Sequence, residues 1–306
     1  MTMHETFPSS SGQLLDLHIW EPATTPIGII QLVHGMAEHI ARYEEPAQAF
    51  ANAGYVVVGH TQLGHGEKAQ TPGHFAKHDG WQVLLNDIDA VRTIFSKRYP
   101  NLPYFLLGHS MGSFLVRSYC LTKEQGLAGV ILSGTGHFPP ALVYSALSIA
   151  NIQCALGMEE KPSKLLDNLS FTSNNKAFKP SRTSLDWLSR DNEHVDKYIA
   201  DPYCGFPFTA GGFRDLFTGL RMLFPKNLTS MDKTVPVLLF SGADDPVGSN
   251  FKGVERVAYE MRKAGVQNIT LKAYPQGRHE MFNELNREEV YADVILWINS
   301  IKGRVS

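Results

Sequence analysis

The sequence predicts an α/β fold: a mostly parallel central sheet with helices on both faces and an inserted helical cap. Three observations carry this reading. Short apolar runs rich in β-branched residues alternate with longer stretches of helical spacing, which implies parallel strands joined by helical crossovers. The alternation stops near Gly136 and resumes at Val235. The interval between is broken by Pro and Gly and offers no convincing strand.

Each element has its own signature. Gln13–Trp20 mixes apolar and polar residues as a half-buried strand does. Ile27–Val33 and Tyr55–Val58 are short apolar runs suited to strands buried on both faces. Between them Tyr43–Ala53 reads as a helix ending at Gly54. From Trp81 to Phe95 apolar residues recur at helical spacing, and the Tyr99–Pro103 segment breaks the pattern. Strand Tyr104–Leu107, helix Met111–Glu124 and strand Ala128–Leu132 follow. The cap is read over Gly136–Phe224, and the core resumes with strand Val235–Phe240, helix Val254–Ala264, strand Ile269–Ala273 and helix Glu288–Ile301. The expected division is therefore core over 1–135, cap over 136–230 and core again over 231–306.

Composition narrows the functions. A hydrophobic share of 43% against 19% charged residues, over 306 residues, is enough for a substantial core. A net charge of −2 gives no basic excess for phosphates, so no nucleic-acid partner is expected. The N-terminal segment lacks the basic-then-apolar pattern of a secretory signal. No run approaches the ~20 apolar residues of a transmembrane segment. Cys120, Cys154 and Cys204 are odd in number and without CxxC spacing, so neither a disulfide framework nor a zinc site is expected. Thiols in a reducing cytoplasm is the reading that follows.

Gly108-His109-Ser110-Met111-Gly112 fits G-x-S-x-G, a turn that projects a serine from a sharp strand-to-helix bend with no room for neighbouring side chains. The strand before it and the helix after it meet the context such a turn requires. So weak an acid needs a base and an orienting carboxylate, expected in the order Ser, Asp or Glu, His. Asp244-Asp245-Pro246 lies just past strand Val235–Phe240. Asp245 is preferred because a residue before proline is held extended, with Asp244 as the alternative. His279 directly follows the strand ending near Ala273, the place for the base. An oxyanion formed in acyl transfer needs N–H donors, each worth roughly 3 kcal/mol. Met111 and Met36, the latter in Val33-His34-Gly35-Met36, are the candidate donors.

These motifs resemble the monoacylglycerol lipase and lysophospholipase-like branch of the α/β hydrolases, also described as serine aminopeptidase-like. The matching pieces are His34–His39, Arg42-Tyr43, Gly64-His65-Gly66, Leu106–Gly112, Ser241–Asp245 and Gly277–Glu280. The resemblance implies the α/β-hydrolase fold, Ser110, Asp245 and His279 as triad, and Met36 and Met111 as anion-binding amides. It also implies that Glu38 and Arg42 help bind a glycerol head group, although a solvated i,i+4 ion pair explains the same spacing. Thr61 stands where the branch usually has Asp before its Gly-His-Gly turn.

The expected activity is cleavage of acyl esters such as monoacylglycerols or lysophospholipids by a serine hydrolase, with no cofactor and no metal. Transient lipid-surface contact is compatible with it, and the oligomeric state is not fixed by sequence. An aminopeptidase or amidase using the same triad is the alternative, with Glu159 and Glu160 as candidate binders of a substrate amine. A non-catalytic binding module is a third reading, opposed by the filled triad. His34/His39, His60/His65 and His74/His78 lack the third ligand of a metal motif. Phe206, Phe208, Phe213, Phe217 and Leu220 read first as ordinary core, with acyl-chain binding as the second reading because a cap must turn some apolar face toward the cleft.

Overall fold

The structure is a computed structural model describing residues 2–122 and 126–302. Eight strands form one sheet: β1 (Thr2–Pro8), β2 (Leu14–Trp20), β3 (Gly28–Val33), β4 (Tyr55–His60), β5 (Tyr104–His109), β6 (Gly129–Ser133), β7 (Val237–Gly242) and β8 (Ile269–Tyr274). Their spatial order is β1-β2-β4-β3-β5-β6-β7-β8. From β4 to β8 every pairing is parallel, while β1–β2 and β2–β4 are antiparallel.

Helices α1 (Glu44–Asn52), α2 (Gly80–Arg98), α3 (Met111–Tyr119), α4 (Pro140–Gln153), α5 (Lys164–Phe171), α6 (Asn192–Ala200), α7 (Ala210–Met222), α8 (Lys252–Lys263) and α9 (Arg287–Lys302) complete the chain. The helix expected over Met111–Glu124 ends at Tyr119, and Glu124 lies outside the described residues.

Strand side chains alternate between faces, so one strand feeds two cores. On β3, Ile29 and Val33 join one cluster while Ile30 and Leu32 join the other; on β5, Leu106 and Leu107 divide the same way. The first cluster is closed by α2, α3 and α8 together with α7, and the second by α1 and α9. Burial on both faces explains why these strands read as unbroken apolar runs. Strand β1 escaped the sequence reading because it is an edge. Of its side chains only Phe7 is fully buried, and a turn through Gly12, at φ 88°, folds it back on β2.

The β6–β7 connection carries α4 to α7 and no strand, only an isolated bridge between Pro162 and Thr209. Phe208 and Phe213 are buried there as core. Val143, Leu147 and Ala150 of α4 are buried in the same cluster as Phe213, Leu216, Phe217 and Leu220 of α7. Pro140–Met158 runs helical over 19 residues apart from a kink at Gly157 (φ 77°, ψ 22°), with mean hydropathy 1.4, by those measures long and apolar enough to cross a bilayer. Ser145, Ser148, Asn151 and Gln153 interrupt its apolar residues without charge, so no unbroken apolar run marks it in the sequence. Only 17% of its apolar window is buried inside the structure.

Candidate active site

Ser110 occupies the bend between β5 and α3 at φ 51° and ψ −120°, a strained backbone for a residue with a side chain. The flanking glycines are there for space. A Cβ on Gly112 would lie 2.0 Å from the Val33 carbonyl oxygen, and one on Gly108 would lie 2.3 Å from that of Gly112. The Ser110 N–H donates to the Ser133 carbonyl of β6 at 2.9 Å, which ties the bend to the sheet.

Two loops at the same end of the sheet bring in the partners. Ser110 Oγ lies 2.9 Å from His279 Nε2, and His279 Nδ1 lies 3.0 Å from Asp245 Oδ1. Asp245 is fully buried, whereas Asp244 is exposed and its N–H donates to the Gly277 carbonyl at 2.9 Å. Of the two aspartates, Asp245 is the one that meets the imidazole. Its Oδ2 accepts from Ser241 Oγ at 2.6 Å and its Oδ1 from the Val247 N–H at 2.9 Å.

Burial opposes ionisation of Asp245, but the His279 charge and these donors outweigh it and hold the carboxyl below its ordinary value. Burial likewise presses His279 down, yet the Asp245 charge and hydrogen bond, helped by Glu280 and Glu38, leave it raised above 6.5. A base with such a carboxylate behind it is fit to take a proton from Ser110.

The Met36 loop comes close to the hydroxyl. A Cβ on Gly35 would lie 3.2 Å from the Ser110 Cβ and 2.7 Å from Glu38 Oε1, so only glycine fits. Met111 opens α3, where the first N–H groups have no carbonyl within the helix to receive them. His34 braces this loop: its Nδ1 donates to the Gly35 carbonyl at 2.8 Å while Nε2 accepts the Gln62 N–H at 2.9 Å. Burial, then the nearby His65, holds His34 far below 6.5, so it stays neutral in this role. Thr61, beside Gln62, is buried and its N–H donates to the Asp16 carbonyl.

Glu38 and Arg42 are not the solvated pair that their spacing suggests. Glu38 Oε1 accepts from the Gly35 N–H at 2.6 Å and Tyr43 Oη at 2.9 Å, and Glu38 Oε2 meets Arg42 Nη1 at 2.6 Å. Arg42 makes a fork to Glu280 at 2.9 and 2.7 Å, and its guanidinium lies 4.7 Å from the Tyr198 ring centre. Burial alone would raise Glu280, but Arg42 overrides it and lowers the carboxyl to about 2. The pair thus ties the Met36 loop to the residue after His279, with its hydrogen-bonding capacity directed inward.

Sequence reasoning gave no role to three neighbours of the triad. The Trp187 ring lies 5.2 Å from the His279 ring, and the Trp187 carbonyl accepts the His279 N–H at 3.3 Å. The Glu280 N–H donates to the Leu188 carbonyl at 2.7 Å. Arg278 reaches the Ser189 carbonyl at 3.0 Å and also hydrogen-bonds that of Asp186. Glu280 and Arg278 stand within a motif already singled out, but Trp187, about ninety positions before His279, carries no local signal.

A hydroxyl, an imidazole and a carboxylate joined in this order at the strand ends of a mostly parallel sheet define an α/β hydrolase of the lipase and esterase type. Residues 24–286 match the family described as serine aminopeptidase, S33, and the chain belongs to that family. It is 30% identical to a monoacylglycerol lipase of Mycolicibacterium smegmatis over 96% of each chain. It is also 30% identical to the human monoglyceride lipase, over 95% of this chain and 88% of that one. Among solved structures, a thermostable carboxyl esterase from Bacillus coagulans in complex with glycerol superposes with a TM-score of 0.92 at 28% identity, covering 98% of both chains.

Proposed function

We propose that this chain hydrolyses acyl esters of the monoacylglycerol or lysophospholipid kind through a Ser110 acyl-enzyme. The observation that carries the reading is the unbroken hydrogen-bonded chain from Ser110 Oγ through His279 to Asp245. Ser110 Oγ attacks the ester carbonyl as His279 Nε2 takes its proton, and Asp245 stabilises the imidazolium. The Met36 and Met111 N–H groups receive the negative oxygen of the tetrahedral intermediate. His279 returns the proton to the departing alcohol, then activates the water that releases the acid. The names of the relatives and the glycerol in the Bacillus coagulans esterase support a glyceryl ester as substrate.

In this reading residues 136–230 cap the strand ends, a role supported by the Trp187 and Leu188 carbonyls that hold the His279 loop. Leu142, Ile152 and Leu156 on the α4 segment and Leu165 and Leu169 on α5 are exposed, which suits contact with a lipid surface. A cytoplasmic setting suits the three thiols. The amidase reading loses one of its two candidate amine binders, because Glu159 is already paired with Arg214 at 2.6 Å.

Ser110→Ala is expected to keep the fold and lower kcat on a p-nitrophenyl ester by about 10⁶-fold. Undiminished turnover by the folded variant refutes the assignment. A panel of monoacylglycerols, lysophospholipids, aryl esters and aminoacyl anilides then ranks the substrate classes by kcat/KM.

A further inference from the structure

We propose that His39, Asp201 and Cys204 form a binding site for a borderline divalent cation, Zn²⁺ being the reference ion, that bridges the sheet core and the β6–β7 connection. Sequence spacing hides the group, because His39 follows β3 while Asp201 and Cys204 follow α6. In the fold, one ligand atom from each lies within 4.8 Å of the other two. Among the described residues no other three donors of these types converge in this way. His39 Nε2 and Asp201 Oδ2 are already 2.8 Å apart, and all three residues are half-buried, within reach of solvent.

The chemistry of the donors selects the ion. One imidazole nitrogen, one carboxylate oxygen and one sulfur suit zinc and its neighbours rather than calcium or magnesium, which take oxygen ligands. Zinc coordination at 2.0–2.3 Å sets tetrahedral donors about 3.3–3.6 Å apart, so His39 Nε2 and Asp201 Oδ2 part by about half an ångström from 2.8 Å and Cys204 Sγ, within 4.8 Å of both, settles at that spacing. A fourth position is left for water. Protons balance simply. Nε2 of His39 gives up its hydrogen-bonding proton as the tautomer shifts to Nδ1, Cys204 releases its thiol proton to solvent, and Asp201 binds as the carboxylate.

The surroundings hold two of the ligands in place. Asp201 Oδ1 accepts the Tyr203 N–H at 2.8 Å, leaving Oδ2 for the ion, and the Cys204 N–H donates to the Asp201 carbonyl at 3.1 Å. The Gly205 N–H and Tyr198 Oη both donate to the Ala37 carbonyl at 2.9 Å, fixing the distance between the connection and the loop that carries His39. An ion at this point fastens that loop, and with it Met36, to the end of α6.

The test does not depend on ester hydrolysis. Chelator-treated protein is titrated with Co²⁺. One equivalent is expected to produce a near-ultraviolet thiolate-to-cobalt charge-transfer band, and Zn²⁺ to remove it. Cys204→Ser abolishes the band, whereas Cys120→Ser and Cys154→Ser retain it. His39→Ala and Asp201→Asn weaken Co²⁺ binding by about tenfold or more. Zn²⁺ raises the Tm of the wild type and not that of Cys204→Ser, whose metal-free Tm shows that it folds. Absence of the band, its survival in Cys204→Ser, or an equal Zn²⁺ shift in both proteins overturns the proposal.

Discussion

At the scale of single residues, the proposed mechanism sets opposite pH trends for activity and stability. His279 must be neutral to accept the Ser110 proton, and its pKa is raised above 6.5. The kcat/KM for an ester should therefore fall on the acid side with an apparent pKa above 6.5, read from a rate–pH profile. Stability runs the other way. The contribution of the protonated His279 is fully present below the unfolded pKa and is lost as pH rises through the raised folded one. Asp245→Asn removes the charge that holds the pKa up, so the acid limb should move to lower pH while kcat drops about 10⁴-fold. A limb that stays in place in Asp245→Asn assigns the titration to some other group.

The residue scale is also where the sequence was most legible. The G-x-S-x-G motif and the chain order single out Ser110 and His279, because steric demands at a tight bend limit which residues fit. Choosing between Asp244 and Asp245 was harder, since adjacent carboxylates on one loop differ only in where they point. Burial of Asp245 against Ser241 and Val247 makes that distinction in space.

At the scale of elements, the Met36 loop depends on a partner contributed by the distant loop that follows β8. Arg42 stands between Glu38 and Glu280, and all three are largely withdrawn from water. Removing the guanidinium leaves two buried carboxylates without a counter-charge, which costs roughly 3–5 kcal/mol. Arg42→Ala should lose that much in a denaturant titration, and kcat on a soluble ester should fall because the Gly35–Met36 backbone loses its anchor. A variant as stable as the wild type shows that the cluster does not brace the loop. The i,i+4 spacing of Glu38 and Arg42 was visible in the sequence, but Glu280 lies 238 positions beyond Arg42. Local spacing alone therefore read the pair as solvated.

At the scale of the whole molecule, Leu142, Ile152 and Leu156 of the Pro140–Met158 segment and Leu165 and Leu169 of α5 are exposed and lie outside the buried core. If this surface meets lipid, a Leu142→Ser, Ile152→Ser, Leu156→Ser triple variant should hydrolyse vesicle-borne monoacylglycerol at least about tenfold more slowly, since one leucine-sized side chain taken from water is worth roughly 1.5–3 kcal/mol. Turnover of a soluble aryl ester should be unchanged. Equal losses on both substrates place the effect in the active site instead.

The sequence by itself determined the alternation of strand and helix, the interruption after β6 and which hydroxyl, imidazole and carboxylate stand as candidates for the site. Periodicity, turn chemistry and motif spacing are local properties, and a chain displays them before it folds. Tertiary structure alone decided the edge strand β1, the inward pairing of Glu38 and Arg42, the contact of Trp187 with His279 and the meeting of His39 with Asp201 and Cys204. Each of these joins segments far apart in the chain or depends on which side chains the fold withdraws from water. Neither is set by short-range preference, only by how the packed sheet and its helices bring those segments together.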